Sequence, residues 1–504
     1  MESREREKRD AGRRLVVCAA LLMSGLFCVA HAAESASEMP ETSEQQRANA
    51  ERLLSQGQIP AAIEEYRRAA AANPRDAQSY YGLAVALDQA GDLREERVAL
   101  HQVLLLNPSY AQLHNQLGLL NMKESKPAAA AAEFRKAIAL NPLYPEAKNN
   151  FGVLMRAQGD NSAAESLFRE AIAQDAGYAQ AMTNLGTLLA FETRLPEAEE
   201  VLRKAIEIDP RNADALMEHG MVQMRMNRKP EAVADFRAAV QAQPQQAETH
   251  INLGIALADS DDLDGALGEF TEAIRLQPSN GMAHYNRGRV LADMNRDAEG
   301  KLELEKAVQL KADEPEWWSL LGTLAREMGE KDEAVRALRR ATELEPKDAT
   351  RQYALGQALS EAGDTDGAVA AWRRAVALQP DYVAAFYALS RALARTDPRG
   401  SRELQARILK LQELHRATDN AQTIGDDALS AAAVGDWAKA IAELKEAIER
   451  CGECSVRPQL HKNLGLVYCR SGDLKSGKTE LLLADTLLPG DADIAKALQI
   501  LKSE

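Results

Sequence analysis

The chain of 504 residues is 45% apolar but only 5% aromatic, a composition that builds thin, alanine- and leucine-rich helix packing more readily than a deep globular core. Its 61 basic and 76 acidic side chains leave a formal charge of −15. That sign weighs against a nucleic-acid binder, whose affinity rests on phosphate neutralisation by Lys and Arg, and against docking on an anionic membrane surface.

At the N-terminus, Arg13 and Arg14 precede an apolar run from Leu15 to Ala30, and Ala30-His31-Ala32 has the small-x-small pattern of a cleavage site. Residues 1–32 read as a signal peptide. A retained N-terminal anchor is the alternative, because the run is marginal against the roughly 20 apolar residues that span a bilayer. Either reading places the remainder outside the cytoplasm, periplasmic or secreted, with the basic flank inside. Residues 33–42 form a polar lead-in.

Internal repetition sets the architecture of the rest. Stepping by 34 residues from Pro74, eight of ten positions are Pro, and from Gly118 all eight positions through Gly356 are Gly. Each repeat reads as two helices. Over residues 180–191, Met182, Leu185, Gly186 and Leu189 share one face at i, i+3, i+4, i+7 spacing. A turn follows, often Gly-Asp as at Gly91-Asp92, Gly159-Asp160, Gly363-Asp364, Gly435-Asp436 and Gly472-Asp473. Gly takes the left-handed conformation that ends one helix, and Asp caps the next. The second helix, typified by residues 196–209, puts Ala198, Leu202, Ala205 and Ile206 on its apolar face, and the Pro rung terminates it. A mid-helix Gly costs about 1 kcal/mol relative to Ala, so its recurrence points to close helix approach. Small residues at Ala164, Ala198, Ala232, Ala266, Ala334 and Ala368 serve the same end from the second helix. In chain order, ten helix pairs in strict register are expected over 43–382, and a degenerate pair with a candidate hinge over 383–420. Two further pairs follow over 421–490, with a capping helix over 491–504.

The pattern Leu117-Gly118, Ala130, Phe134, Ala137 and Pro142 resembles the tetratricopeptide repeat (TPR), and the resemblance covers about residues 43–490. It implies an all-α fold: a right-handed superhelix of about 13 pairs plus the capping helix, with a concave groove lined by the first helix of each pair. Asn150, Asn184, Asn252 and Asn286 recur on the 34-residue ruler, with Gln116 before them, and fall on the stripe that the resemblance turns toward the groove. The array is similar in this to the TPR domain of O-GlcNAc transferase. An amide offers both donors and an acceptor, so the ladder can hold a peptide backbone without reading its side chains; the competing reading is that Asn only solvates a helix face. Met217, Met221, Met224, Ile251, Ile255, Met282 and Tyr285 share the stripe and form either an adaptable docking patch or inter-repeat packing. Lysines of a chaperone-type carboxylate clamp are missing, since the matching positions are Asn115, Asn149 and Val153.

Cys451 and Cys454 are expected to close a local disulfide in an exported chain, leaving Cys469 single. His114, His250, His284 and His461 fall at one repeat position and are expected to pack. No metal, cofactor or catalytic constellation is expected, and no phosphate loop, H-E-x-x-H or G-x-S-x-G motif occurs. The sequence thus leads to a non-catalytic scaffold whose partner is a protein or peptide, with no membrane binding beyond the N-terminal anchor alternative. The partner is expected in an envelope assembly, secretion or polysaccharide-related complex. The rival reading is an accessory subunit of a separate envelope enzyme, bound through the convex or C-terminal surface.

Overall fold

The computed structural model describes residues 42–503, which form 26 α-helices. The signal-peptide reading and nearly all of the polar lead-in lie outside the described residues. No strand occurs among the described residues, and no helix there is long and apolar enough to cross a membrane. The chain divides into two compact halves, one ending at Pro244 and the other beginning at Gln245. The division falls between the sixth and seventh helix pairs, within the strict register. Each pair of a solenoid packs mainly on its neighbours.

Ten pairs run in register from Ser43–Ser55 and Ile59–Ala72 to Ala349–Glu361 and Thr365–Leu378. The Gly-Asp turns are built as the residue types require. Gly91, Gly159, Gly363, Gly435 and Gly472 all have positive φ. The Asp92, Asp160, Asp364, Asp436 and Asp473 carboxylates each accept a backbone N–H of the following helix. The same rung is filled by Ser125, Thr193, Asn227, Asp261 and Asn295, which hold positive φ without being glycine.

The glycine ladder has a steric cause. A Cβ on Gly118 would lie 2.5 Å from Phe134, one on Gly152 2.6 Å from Phe168, and one on Gly254 2.6 Å from Phe270. Each partner ring belongs to the second helix of the same pair and is fully buried. Ala164, Ala198, Ala232, Ala266, Ala334 and Ala368 are fully buried on the facing helices. In the eleventh pair Ser390 takes the glycine position, and its hydroxyl lies 3.1 Å from that of Ser401 on the next helix. Small size is retained there, and reciprocal hydrogen bonds to backbone carbonyls hold the approach.

Beyond Val383–Leu393 the architecture departs from the repeat. A single helix of 36 residues, Pro398–Ala433, runs through the boundary expected at 420–421. The segment between Ser401 and Thr423 contains no Gly or Pro to break it, so helix formation continues past the expected turn. Its N-terminal part packs Ile408 and Leu411 with Phe386, and Ala421, Ala428, Ala431 and Ala432 join the core of the Trp437–Cys451 helix. The pair Arg457–Ser471 and Leu474–Leu487 follows, and Ala492–Ser503 closes the array with Ile494 and Leu498 against Leu481 and Ala484.

Candidate functional site

In the N-terminal half, the asparagine stripe ties successive first helices together. Asn150 donates to the Oδ1 of Asn115 at 3.0 Å, and Asn184 donates to the Oδ1 of Asn149 at 2.8 Å. Asn115 and Asn149 are buried; Asn150 and Asn184 are half-buried. One amide N–H of Asn150 and one of Asn184 are therefore committed to the neighbouring pair, while the Asn184 oxygen accepts no hydrogen bond among the described residues. Gln116 is buried and donates to Glu96 at 3.0 Å. Burial pushes the Glu96 carboxyl up to about 7, opposed by the Gln116 hydrogen bond.

Alongside runs a row of tyrosines whose 34-residue spacing the Gly, Pro and Asn ladders do not reveal. Tyr110, Tyr144 and Tyr178 immediately precede three consecutive first helices, and their 34-residue spacing is plain once tyrosine is sought. Tyr81 meets Tyr110 edge-on with ring centroids 5.2 Å apart. Burial pushes the hydroxyls of Tyr81 and Tyr178 up to about 12 and raises those of Tyr110 and Tyr144. The other tyrosines of the row add to the effect at Tyr144, and the Asn149 amide opposes it at Tyr178.

The apolar part of the stripe divides by exposure. Met221 is 40% exposed and Met282 45%, whereas Met217, Met224, Asn252 and Ile255 are half-buried. Ile251, Tyr285 and Asn286 are buried, as Gln116 is, so at these four of the twelve candidate residues burial fits the packing reading. Tyr285 stacks on Trp317 at 5.5 Å and donates to Glu316, while Asn286 donates to the Met282 carbonyl of its own helix. Their position next to bulky residues of the following pair causes the burial, and periodicity alone cannot report it.

In the C-terminal half, a cavity of about 900 Å³ opens between the first helices Ala349–Glu361 and Val383–Leu393. Its walls include Tyr353, Gln357, Glu361, Tyr387 and Arg391, and Trp372 of the intervening second helix also lines it. Gln357 donates to the Tyr353 hydroxyl at 2.9 Å, and the indole of Trp372 donates to the Tyr353 carbonyl. Tyr387 is 64% exposed. Arg289, Thr323, Gln357 and Arg391 occupy one repeat position, 34 residues apart, on four successive first helices, a second row visible in the sequence.

The four histidines at the shared repeat position occupy the interior. His114, His250, His284 and His461 each place Nδ1 between 2.5 and 2.7 Å from a glutamate on the second helix of the same pair: Glu133, Glu269, Glu303 and Glu480. They join helices. Cys451 and Cys454 form a disulfide with Cα atoms 5.1 Å apart, and Cys469 lies outside it. Among the described residues no group of three or more His, Cys, Asp or Glu side chains is arranged to hold a metal ion.

A family model described as TPR repeat matches residues 50–91, and one described as tetratricopeptide repeat matches 155–217. A further tetratricopeptide repeat model matches 115–179, 217–275, 251–316, 319–359 and 353–406. No curated protein matches the chain. Among solved structures, YrrB, a TPR protein with an unusual peptide-binding site, is 24% identical with a TM-score of 0.33, over 40% of this chain and 99% of its own. The pilF protein of Pseudomonas aeruginosa is 22% identical with a TM-score of 0.39, over 44% and 100% of the two chains. A tetratricopeptide repeat protein from Parabacteroides merdae is 15% identical with a TM-score of 0.40, over 49% and 98%.

Proposed function

Because the chain belongs to the tetratricopeptide repeat family, whose members bind protein or peptide partners, we propose that it is a non-catalytic interaction scaffold. It holds an extended partner segment along the face built by the first helices of its pairs. The observation that supports this most is accessibility where the repeat has no packing use for it. Met221 in the N-terminal half, and Met282 and Tyr387 in the C-terminal half, stand exposed on first helices, and Asn184 of the N-terminal half is half-buried there. Export is part of the same proposal. The sequence pattern of residues 1–32 supports it, as does the Cys451–Cys454 disulfide, a bond that persists in oxidising compartments. The partner is then an envelope component of an assembly, secretion or polysaccharide-handling complex.

A second reading, an accessory subunit of a separate envelope enzyme, draws on the exposed leucines Leu474, Leu482, Leu483, Leu487 and Leu488 near the C-terminus. Photocrosslinking separates the two. A crosslinker is placed at Met221, Met282 or Tyr387 on first helices, at Ile208 or Leu302 on second helices, and at Leu482. Partner adducts from the first-helix positions alone are the expected result. Adducts from Leu482, or from Ile208 and Leu302, without any from the first-helix positions would transfer the function to the C-terminal or convex surface, and adducts from none of them would overturn both readings.

A further inference from the structure

Charge is distributed unevenly along one edge of the C-terminal half. Helices joined by short turns run antiparallel, so the connections from first to second helix share that edge. In the seventh pair, Ala247–Asp259 and Leu263–Leu276, no Lys or Arg occurs from Gln245 to Ile274, against seven Asp or Glu. Asp259, Asp261, Asp262 and Asp264 crowd its connection, and the last three are exposed. Asp262 caps the following helix by accepting the Gly265 N–H at 3.0 Å. Arg296 of the next pair feels the Asp264 charge but is held by Glu299 at 2.8 Å. At the corresponding connection of the eleventh pair, between Val383–Leu393 and Pro398–Ala433, the sign reverses. Seven Lys or Arg stand against three Asp or Glu across residues 391–416. Arg391, Arg395, Arg399 and Arg402 are exposed there, and of these four only Arg399 has an ion pair, with Glu403 at 3.1 Å. Arg399 and Arg402 lie at the N-terminal end of Pro398–Ala433, whose first turn carries no acidic residue. The open N–H groups of a helix N-terminus favour anions, so these cations cost stability that nothing inside the chain returns.

We propose that the chain associates with a second copy of itself, the acidic connection of the seventh pair in one copy docking on the basic connection of the eleventh pair in the other. Charge complementarity is the warrant. Three pairs separate the two connections, and a solenoid pair packs on its neighbours, so they do not meet within one copy. A second copy brings them together. Its aspartates supply the anions that the N-terminus of Pro398–Ala433 lacks, and its own crowded carboxylates gain the cations missing from Gln245 to Ile274. The remainder of the chain is acidic, with a formal charge of −15 overall, so unlike-charge contact is available only where this basic edge takes part. The contact lies on the edge of the array and is independent of the first-helix reading of the protein's function.

Sedimentation velocity on the full chain tests this at about 50 mM and about 500 mM NaCl, a range over which exposed charge contacts become screened. Self-association at low salt should weaken by about tenfold or more at high salt. A variant with Arg395→Glu, Arg399→Glu and Arg402→Glu should lose it, and so should one with Asp261→Lys and Asp264→Lys. An equimolar mixture of the two variants should associate again, because each then offers the charge that the other lacks. Asp262, which caps its helix, is left in place, and far-UV circular dichroism checks that both variants keep the fold of the parent. The arginine variant should melt no lower than the parent at high salt, since it replaces cations at a helix N-terminus with anions. Association that survives either set of reversals, or that salt leaves unchanged, overturns the proposal. Reversed variants that stay monomeric when mixed also overturn it. So does a parent that never self-associates; if that parent instead sediments with phosphatidylglycerol vesicles and the arginine variant does not, the basic edge belongs to an anionic membrane.

Discussion

Two helical glycines should respond to alanine with opposite signs. A Cβ on Gly152 would lie 2.6 Å from Cε1, 2.9 Å from Cδ1 and 3.1 Å from Cζ of Phe168, which is fully buried. To reach ordinary contact the ring must retreat by about 1 Å into packed surroundings, an overpacking cost of about 1–3 kcal/mol. Better helix propensity offsets about 1 kcal/mol of that. Gly268, inside the helix Leu263–Leu276, is exposed, and its added Cβ would meet nothing within 4 Å, so only the propensity gain remains. The two substitutions should therefore differ by roughly 2 kcal/mol in local stability. Hydrogen exchange read over residues 145–174 and 263–276 measures each where it acts, since solenoid pairs open locally. A third variant adds a check. Ala84 and Leu100 occupy the equivalent positions of the second pair, both fully buried, so Gly152→Ala with Phe168→Leu should recover part of the loss. If Gly152→Ala instead slows exchange as Gly268→Ala does, the steric account of the ladder is wrong.

Glu96 gives a pH dependence of unusual sign. Its folded carboxyl, pushed up to about 7 by burial, binds a proton more tightly than the unfolded one, so its charge costs stability as pH rises from the ordinary glutamate value through 7. The ceiling is about 3 kcal/mol, and urea unfolding at pH 5 and pH 8 should show Glu96→Gln gaining over the parent only at the higher pH; equal effects at both would refute the assignment. Thr193 holds a φ of 62° with a β-branched side chain, and Thr193→Gly should raise stability by about 1 kcal/mol in thermal melts. A decrease there would mean that the side chain outweighs its strain. Limited proteolysis should leave residues 401–431 intact, because the long helix has no break; early cleavage near Asn420 would refute the continuous helix.

Much of the fold was legible because its determinants are local and periodic. Gly91-Asp92 and its equivalents announce a left-handed residue and a cap, and Gly118 to Gly356 announce a contact that only a missing side chain permits. The continuous helix over Pro398–Ala433 was not legible from the ruler, since a register slip of a few residues looks alike whether it falls in a loop or inside a helix. The candidate face was half legible. Asn150 and Asn184 stand on the expected stripe, but whether an amide faces solvent or a neighbour is settled by the next pair, as Asn115 and Asn149 show.

A helix of 36 residues is a rod of about 54 Å at 1.5 Å per residue. Elsewhere along the array, neighbouring helices meet at turns, where small rotations accumulate and let a solenoid yield like a spring. Pro398–Ala433 has no turn to yield at. The Val383–Leu393 helix that lines the cavity grips one end of the rod through Ser390, and the Trp437–Cys451 helix grips the other. A strain applied to the last pairs is thus delivered to the cavity as leverage rather than being absorbed on the way.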